Sequence, residues 1–153
     1  MQPPAAPDDR STLAGFTPRV LRGPFFGGRT VFTADAARAD HFMARITADD
    51  CNLLGITHGG AIATLADVFI VGFIAAQMPA DTRMVTASLS IDYLGPSTAD
   101  DWLIGRIHAH RIGRRQCVAS GEFRVGNRTI ALIRATCAIL QDPGRRDPVS
   151  SDS

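Results

Sequence analysis

Two neighbouring stretches decide the fold: residues 59–79, GGAIATLADVFIVGFIAAQMP, and residues 84–94, MVTASLSIDYL. The first contains a single charge, Asp67, and is filled by Ala, Leu, Ile and Phe. That composition predicts a long apolar helix beginning near Thr57 or His58 and ending before Pro79. In the second stretch Val85, Ala87, Leu89, Ile91 and Tyr93 alternate with Thr86, Ser88, Ser90 and Asp92. The period switches there from 3.6 to 2, which predicts a half-buried strand ending at Gly95-Pro96. The helix is long enough to invite a membrane reading, since a span needs about 20 apolar residues. A carboxylate at the middle of a span costs roughly 2.5–3.5 kcal/mol, and no basic cluster flanks either end. A helix apolar on most faces and wrapped by protein is the better account.

Further strands lie downstream. Residues 102–111 and 116–125 are separated by a turn at Gly113-Arg114. Gly126-Asn127 is a hairpin signal, and 129–140 follows it as a strand apolar on both faces, hence central. Upstream, 40–48 reads as extended. Residues 16–35 are glycine-rich and aromatic, fitting a short helix or an irregular strand. The order is a strand, a long helix, then a four-stranded meander. An antiparallel sheet curled around one helix satisfies it, an α+β arrangement.

Composition narrows the function. The chain has 153 residues, 16 basic and 15 acidic, with a formal charge of +1. Hydrophobic residues make up 45% of it, enough for one well-packed domain. The balanced charge argues against a nucleic-acid partner. Three cysteines, Cys51, Cys117 and Cys137, form no CxxC and suit a reducing cytoplasm. Residues 1–12, proline-rich and charged, read as a flexible leader without a signal peptide; 13–141 read as the single domain and 142–153 as a polar tail.

The chemistry concentrates in Cys51-Asn52-Leu53-Leu54-Gly55-Ile56-Thr57-His58-Gly59-Gly60 and Asp67. A helix N-terminus carries free N–H groups and partial positive charge, and Gly59 and Gly60 leave those groups open to a ligand oxygen. This is a candidate oxyanion hole. Asp67 is a charge in an apolar helix, and such a carboxylate is expensive unless paired. Asn52, just ahead of the helix, could hold a water or a carbonyl, or simply cap a turn. Gly59 and Asp67 are separated by roughly 12 Å of helix rise. A nucleophile and an oxyanion donor must meet within about 3 Å of one reacting carbon. If both act, the partner comes from a second copy, and a two-fold dimer gives each site one helix N-terminus and the other copy's Asp.

The pattern Asn52-x2-Gly55-x2-His58-Gly59-Gly60-x6-Asp67, followed by a strand with Val85-Thr86, resembles the hotdog-fold acyl-CoA thioesterases of the PaaI-like family, over about residues 40–140. The resemblance implies a five- or six-stranded antiparallel sheet wrapped around the central helix. It implies a homodimer joined sheet edge to sheet edge with shared active sites, dimers pairing into tetramers, and an acyl-CoA substrate hydrolysed without metal or cofactor. It places the polarising N–H on Gly59, the nucleophile or general base on Asp67, the water- or thioester-positioning amide on Asn52 and the assisting hydroxyl on Thr86. His58 falls on the motif histidine, in a structural or substrate-orienting role, and Gly60 beside it is a substrate-binding candidate.

Arg111, Arg114 and Arg115 cluster at a turn; Arg114 is a candidate for the CoA phosphates, or merely solvated. His108 and His110, two apart on a strand, point to one face, and no third metal ligand is placed by spacing. Cys51 with His58 could form a thiol–base pair, though a small buried cysteine is the simpler reading. Phe69, Phe73, Ile74 and the 24–32 segment could shape an acyl pocket for an aryl or medium-chain group. A non-catalytic acyl-CoA-binding module on the same fold is the alternative. A hydratase is weaker still, because no His–Asp pair is placed beside Asp67.

Overall fold

A computed structural model describes residues 14–34 and 40–140; residues 1–12 and 142–153, read above as leader and tail, lie outside the described residues. The central helix, α1, runs Gly59–Ala75. It buries Ile62, Leu65, Ala66, Phe69, Ile70, Phe73 and Ile74, a stripe at the i, i+3, i+4 spacing of one helix face. The sheet against it is antiparallel. Its strands are β1 (Phe16–Val20), β2 (Thr30–Ala34), β3 (His41–Arg45), β4 (Met84–Tyr93), β5 (Trp102–Ile112), β6 (Gln116–Val125) and β7 (Arg128–Ile139). They lie side by side in the order β1-β2-β3-β5-β6-β7-β4. β7 is flanked on both sides, as its two apolar faces require.

The core is one cluster. From the sheet, Phe42, Leu103, Cys117, Ala119, Phe123, Ala135 and Cys137 meet the helix stripe. Phe69 stacks on Phe42 at 5.1 Å and on Phe123 at 6.0 Å between ring centroids. Each large side chain so buried contributes roughly 1.5–3 kcal/mol.

The seven strands exceed the five or six expected, because residues 16–34 fold into a hairpin. Between β1 and β2 a 3-10 turn at Pro24–Phe26 runs into Gly27 and Gly28, both left-handed at φ 56° and 78°. Those angles reverse the chain tightly and favour glycine. The hairpin and its turn lie alongside the second face of α1. Arg19, Leu21 and Phe26 share a groove there with Asp67, Val68 and Val71. The helix is therefore buried on one broad face by the sheet and partly covered on the other by the hairpin and its turn.

Two of the three register shifts in the sheet bear on the candidate residues. In β4, Thr86 pairs with Cys137 and Ser88 with Thr136, so Ala87 is an extra residue. An extra residue reverses the in–out phase. Thr86 consequently joins Leu89, Ile91 and Tyr93 on the helix side instead of opposing them. In β5, Ile107 pairs with Gly121 and Ala109 with Ser120, which makes His108 the extra residue. His108 and His110 thus face opposite ways: His108 meets Glu122 at 3.3 Å, while His110 packs on Phe73 with ring centroids 5.0 Å apart. Among the described residues no group of three or more His, Cys, Asp or Glu could hold a metal ion. No described helix is long and apolar enough to cross a membrane.

Candidate active site

The helix N-terminus is built by the turn before it. Asn52 Oδ1 accepts from the Leu54 N–H at 2.9 Å, and the Gly55 N–H donates to the Asn52 carbonyl at 2.9 Å. Gly55 is left-handed there, at φ 74°. The loop returns through an isolated bridge between Cys51 and Thr57, and His58 becomes the N-cap. Its Nδ1 accepts from the Gly60 N–H at 2.9 Å. A Cβ on Gly60 would lie 3.1 Å from that nitrogen, so glycine makes room for the cap.

This cap decides which donor stays open. The His58 N–H goes to the Asp50 carbonyl and the Ala61 N–H to the His58 carbonyl. Gly60 is committed to His58. The Gly59 N–H is left without an acceptor among the described residues, which is the free donor an oxyanion site needs. Tyr93, at the far end of β4, donates its hydroxyl to the Gly59 carbonyl at 2.8 Å. Its ring would sit 3.3 Å from a Cβ on Gly59. Close approach therefore accounts for both glycines.

Asp67 lies two turns further on. The Thr86 hydroxyl donates to Asp67 Oδ1 at 2.6 Å. The carboxylate is half-buried in the protomer, less than its apolar sequence surroundings suggest, and Thr86 is the partner that offsets its desolvation. Beside it runs a groove of about 350 Å³ lined by Phe25, Phe26, Ala63, Thr64 and Leu89. The 24–26 turn thus reaches Asp67, as the acyl-pocket reading allows. Phe69, Phe73 and Ile74 do not: each is buried in the core. Below Thr86, the Cys137 thiol is pushed up by burial and by the Asp67 charge, which keeps it neutral and poorly nucleophilic. Cys51 donates its thiol to the Thr47 carbonyl at 3.6 Å. His58 Nδ1 takes the Gly60 N–H, and among the described residues no hydrogen bond joins Cys51 to His58.

The structure thus brings Asp67 to Thr86, and Asn52, His58, Gly59 and Gly60 to one helix end. It does not bring the two sets together within one protomer. Arg114 stands apart from both: it is exposed in the β5–β6 turn, next to Arg115, whose carbonyl accepts from the Ile139 N–H opposite Met84, at the other end of β4 from Tyr93.

Sequence reasoning missed Asp50 and Arg29. Asp50 is 7% exposed, and its carboxylate accepts from the Arg29 guanidinium and from the Thr47 N–H and hydroxyl, at 2.7 and 2.9 Å. Burial raises its pKa, but the Arg29 and Thr47 hydrogen bonds outweigh that and hold it below the ordinary 3.8. The signal was present as Thr47-x2-Asp50, a capping box. A depressed pKa contributes stability that is complete above 3.8 and lost as pH falls through the folded value. Urea titrations at pH 6 and pH 3 should therefore show a smaller acid loss in Asp50→Asn than in the parent. An equal loss in both would remove Asp50 from the acid response. Glu122, on the outer sheet face, is likewise held low: burial raises it, and Thr129, His108 and Arg124 outweigh burial.

A sheet of antiparallel strands over one long helix is the hotdog fold, and the comparisons with known proteins make it that of a hydrolase acting on thioesters. The model of the thioesterase superfamily matches residues 54–131, and the chain belongs to that family. A curated protein of Pseudomonas aeruginosa, "Putative esterase PA0474", is 34% identical over 111 residues, covering 72% of this chain and 79% of that one. Among solved structures, a hypothetical thioesterase of Streptococcus pneumoniae with coenzyme A is 26% identical, covers 65% of this chain and 77% of its own, and has a TM-score of 0.55. A mutant of the phenylacetic acid degradation protein PaaI of Thermus thermophilus is 21% identical, with 85% and 99% coverage and a TM-score of 0.60; at that identity the likeness is one of fold.

Proposed function

We propose that the protein hydrolyses acyl-CoA thioesters to a free acid and CoA, with Asp67 as nucleophile or general base and the Gly59 N–H as oxyanion donor. The observation that carries this is the Thr86–Asp67 hydrogen bond of 2.6 Å on a helix whose Gly59 N–H is open. The thioester carbonyl accepts from Gly59 as it gains negative charge. Thr86 holds Oδ1, and Asp67 uses its other oxygen to attack the carbonyl carbon or to take a proton from an attacking water. The C–S bond breaks, the thiolate leaves with the electron pair, and water supplies the acid's second oxygen. The coenzyme A seen with the Streptococcus pneumoniae relative supports the leaving group.

Gly59 and Asp67 are too far apart on α1 to serve one carbonyl, so a two-fold dimer supplies each site with one copy's Gly59, Asn52 and His58 and the other's Asp67 and Thr86. The β4 strand is the surface for that pairing. It is an outermost strand, and Val85 and Tyr93 stand about half exposed on it.

The groove at Asp67 suits an apolar acyl group, aryl or medium-chain. Phe25, 79% exposed, is its most open wall. A well-placed aromatic contact contributes about 0.5–1.5 kcal/mol. Phe25→Ala should therefore lower kcat/KM on an aryl-CoA by about 3- to 10-fold and leave acetyl-CoA nearly unchanged. Equal effects on both esters would remove Phe25 from acyl selection. The test of the function is thiol release from a panel of aryl and fatty acyl-CoAs. Turnover on at least one class is expected. Tight ester binding with no turnover across the panel would instead make the chain a binding module.

A further inference from the structure

The half-buried ion pair outside the proposed catalytic set, Arg29–Asp50, sits beside the helix start that carries the open N–H. Asp50 is used at both ends. Its carboxylate takes Arg29 and Thr47, and its backbone carbonyl takes the His58 N–H at 2.7 Å. His58 in turn takes the Gly60 N–H. Between those two anchored residues lies Gly59, with its N–H open. Arg29 also donates to the Arg45 carbonyl at 3.0 Å, which ties the loop before β2 to the end of β3. Arg29, Asp50 and Gly60 line one groove.

We infer that Arg29 and Asp50 are positioning residues for the Gly59 N–H, an inference that rests on the thioesterase reading above. Two effects are combined in the pair. Geometrically, Asp50 fixes the 58–60 backbone, so the donor is already aimed when the oxyanion forms. Electrostatically, Arg29 neutralises a carboxylate that would otherwise stand unpaired near the helix start where the negative charge develops. The second effect gives a signature that a merely structural ion pair lacks. Removing Arg29 alone leaves Asp50 uncompensated near the oxyanion site; removing both charges does not.

The test compares the parent, Asp50→Asn, Arg29→Met, Arg29→Lys and the Arg29→Met/Asp50→Asn double variant. On an ester the parent hydrolyses, Asp50→Asn should lower kcat about tenfold or more with KM within twofold. Arg29→Met should lose more than the double variant, and Arg29→Lys should recover part of the loss because it keeps the charge. Amide hydrogen exchange, read by NMR, tests the geometry without turnover. The Gly60 amide should exchange at least tenfold faster in Asp50→Asn, with the amides of Leu65 and Ile70 unchanged. Unchanged kcat in folded variants, a double variant no more active than Arg29→Met, or uniform acceleration of all helix amides would overturn the inference. A parent that hydrolyses no thioester overturns the functional reading instead, and the amide measurement still decides the positioning.

Discussion

Asp67→Asn should fold as the parent does and lose thioester turnover about a thousandfold or more. The substitution keeps the shape and keeps an oxygen to accept from the Thr86 hydroxyl, now 2.6 Å from Oδ1. What it removes is the charge that makes the other oxygen a nucleophile or a base. General-base catalysis typically contributes 10²- to 10⁴-fold, and a thousandfold loss corresponds to about 4 kcal/mol in the barrier. Burial cannot be the confounding variable, because the side chain is only half-buried and asparagine relieves rather than adds desolvation. Thermal unfolding should be unchanged or slightly higher. A folded Asp67→Asn protein with parental kcat on the same ester would end the catalytic assignment.

The second large effect is on stability. Gly121→Ala should cost about 3 kcal/mol, at the upper end of overpacking losses, and lower Tm by roughly 10 °C. A Cβ there would lie 2.1 Å from the Arg106 carbonyl oxygen and 3.1 Å from the Ile107 Cα. Both are backbone atoms of the neighbouring strand, beside the β5 bulge, and neither can rotate away. The control is Gly95→Ala, whose Cβ would meet only the end of Arg128 at 3.8 Å. It should stay within about 0.5 kcal/mol of the parent. Equal melting of the two variants would show that the sheet relaxes around the bulge.

Most of the architecture was legible because it depends on periodicity. The helix at 59–75 and the strands after it follow from where apolar residues recur. The phase of two strands was not legible. Ala87 and His108 look like ordinary alternating residues, and only the pairing with β7 and β6 shows that each is a surplus residue. That is why Thr86 lies on the helix side although counting opposes it to Leu89, and why His108 and His110 part company. The 16–34 hairpin was obscure because its strands are short and its glycines hide the turn geometry. On the site, the glycine pair, His58 and Asp67 could be found from spacing. That His58 takes the Gly60 N–H and leaves Gly59 open could not, since it depends on a side-chain rotamer. Asp50 and Arg29 are far apart in sequence, and no pattern joins them.

The borders of the sheet are unequal in what they offer another strand. On one side stands β1, five residues long with Pro18 in its middle, a residue that has no N–H to donate. On the other stands β4, ten residues long and without proline. Two copies joined through β4 would present only proline-bearing borders to the solvent. Such a pair has used its one receptive side and has nowhere to add a third chain edge to edge. In such a pair the asymmetry would stop edge-to-edge growth at two and oppose the open-ended strand addition from which fibres are made.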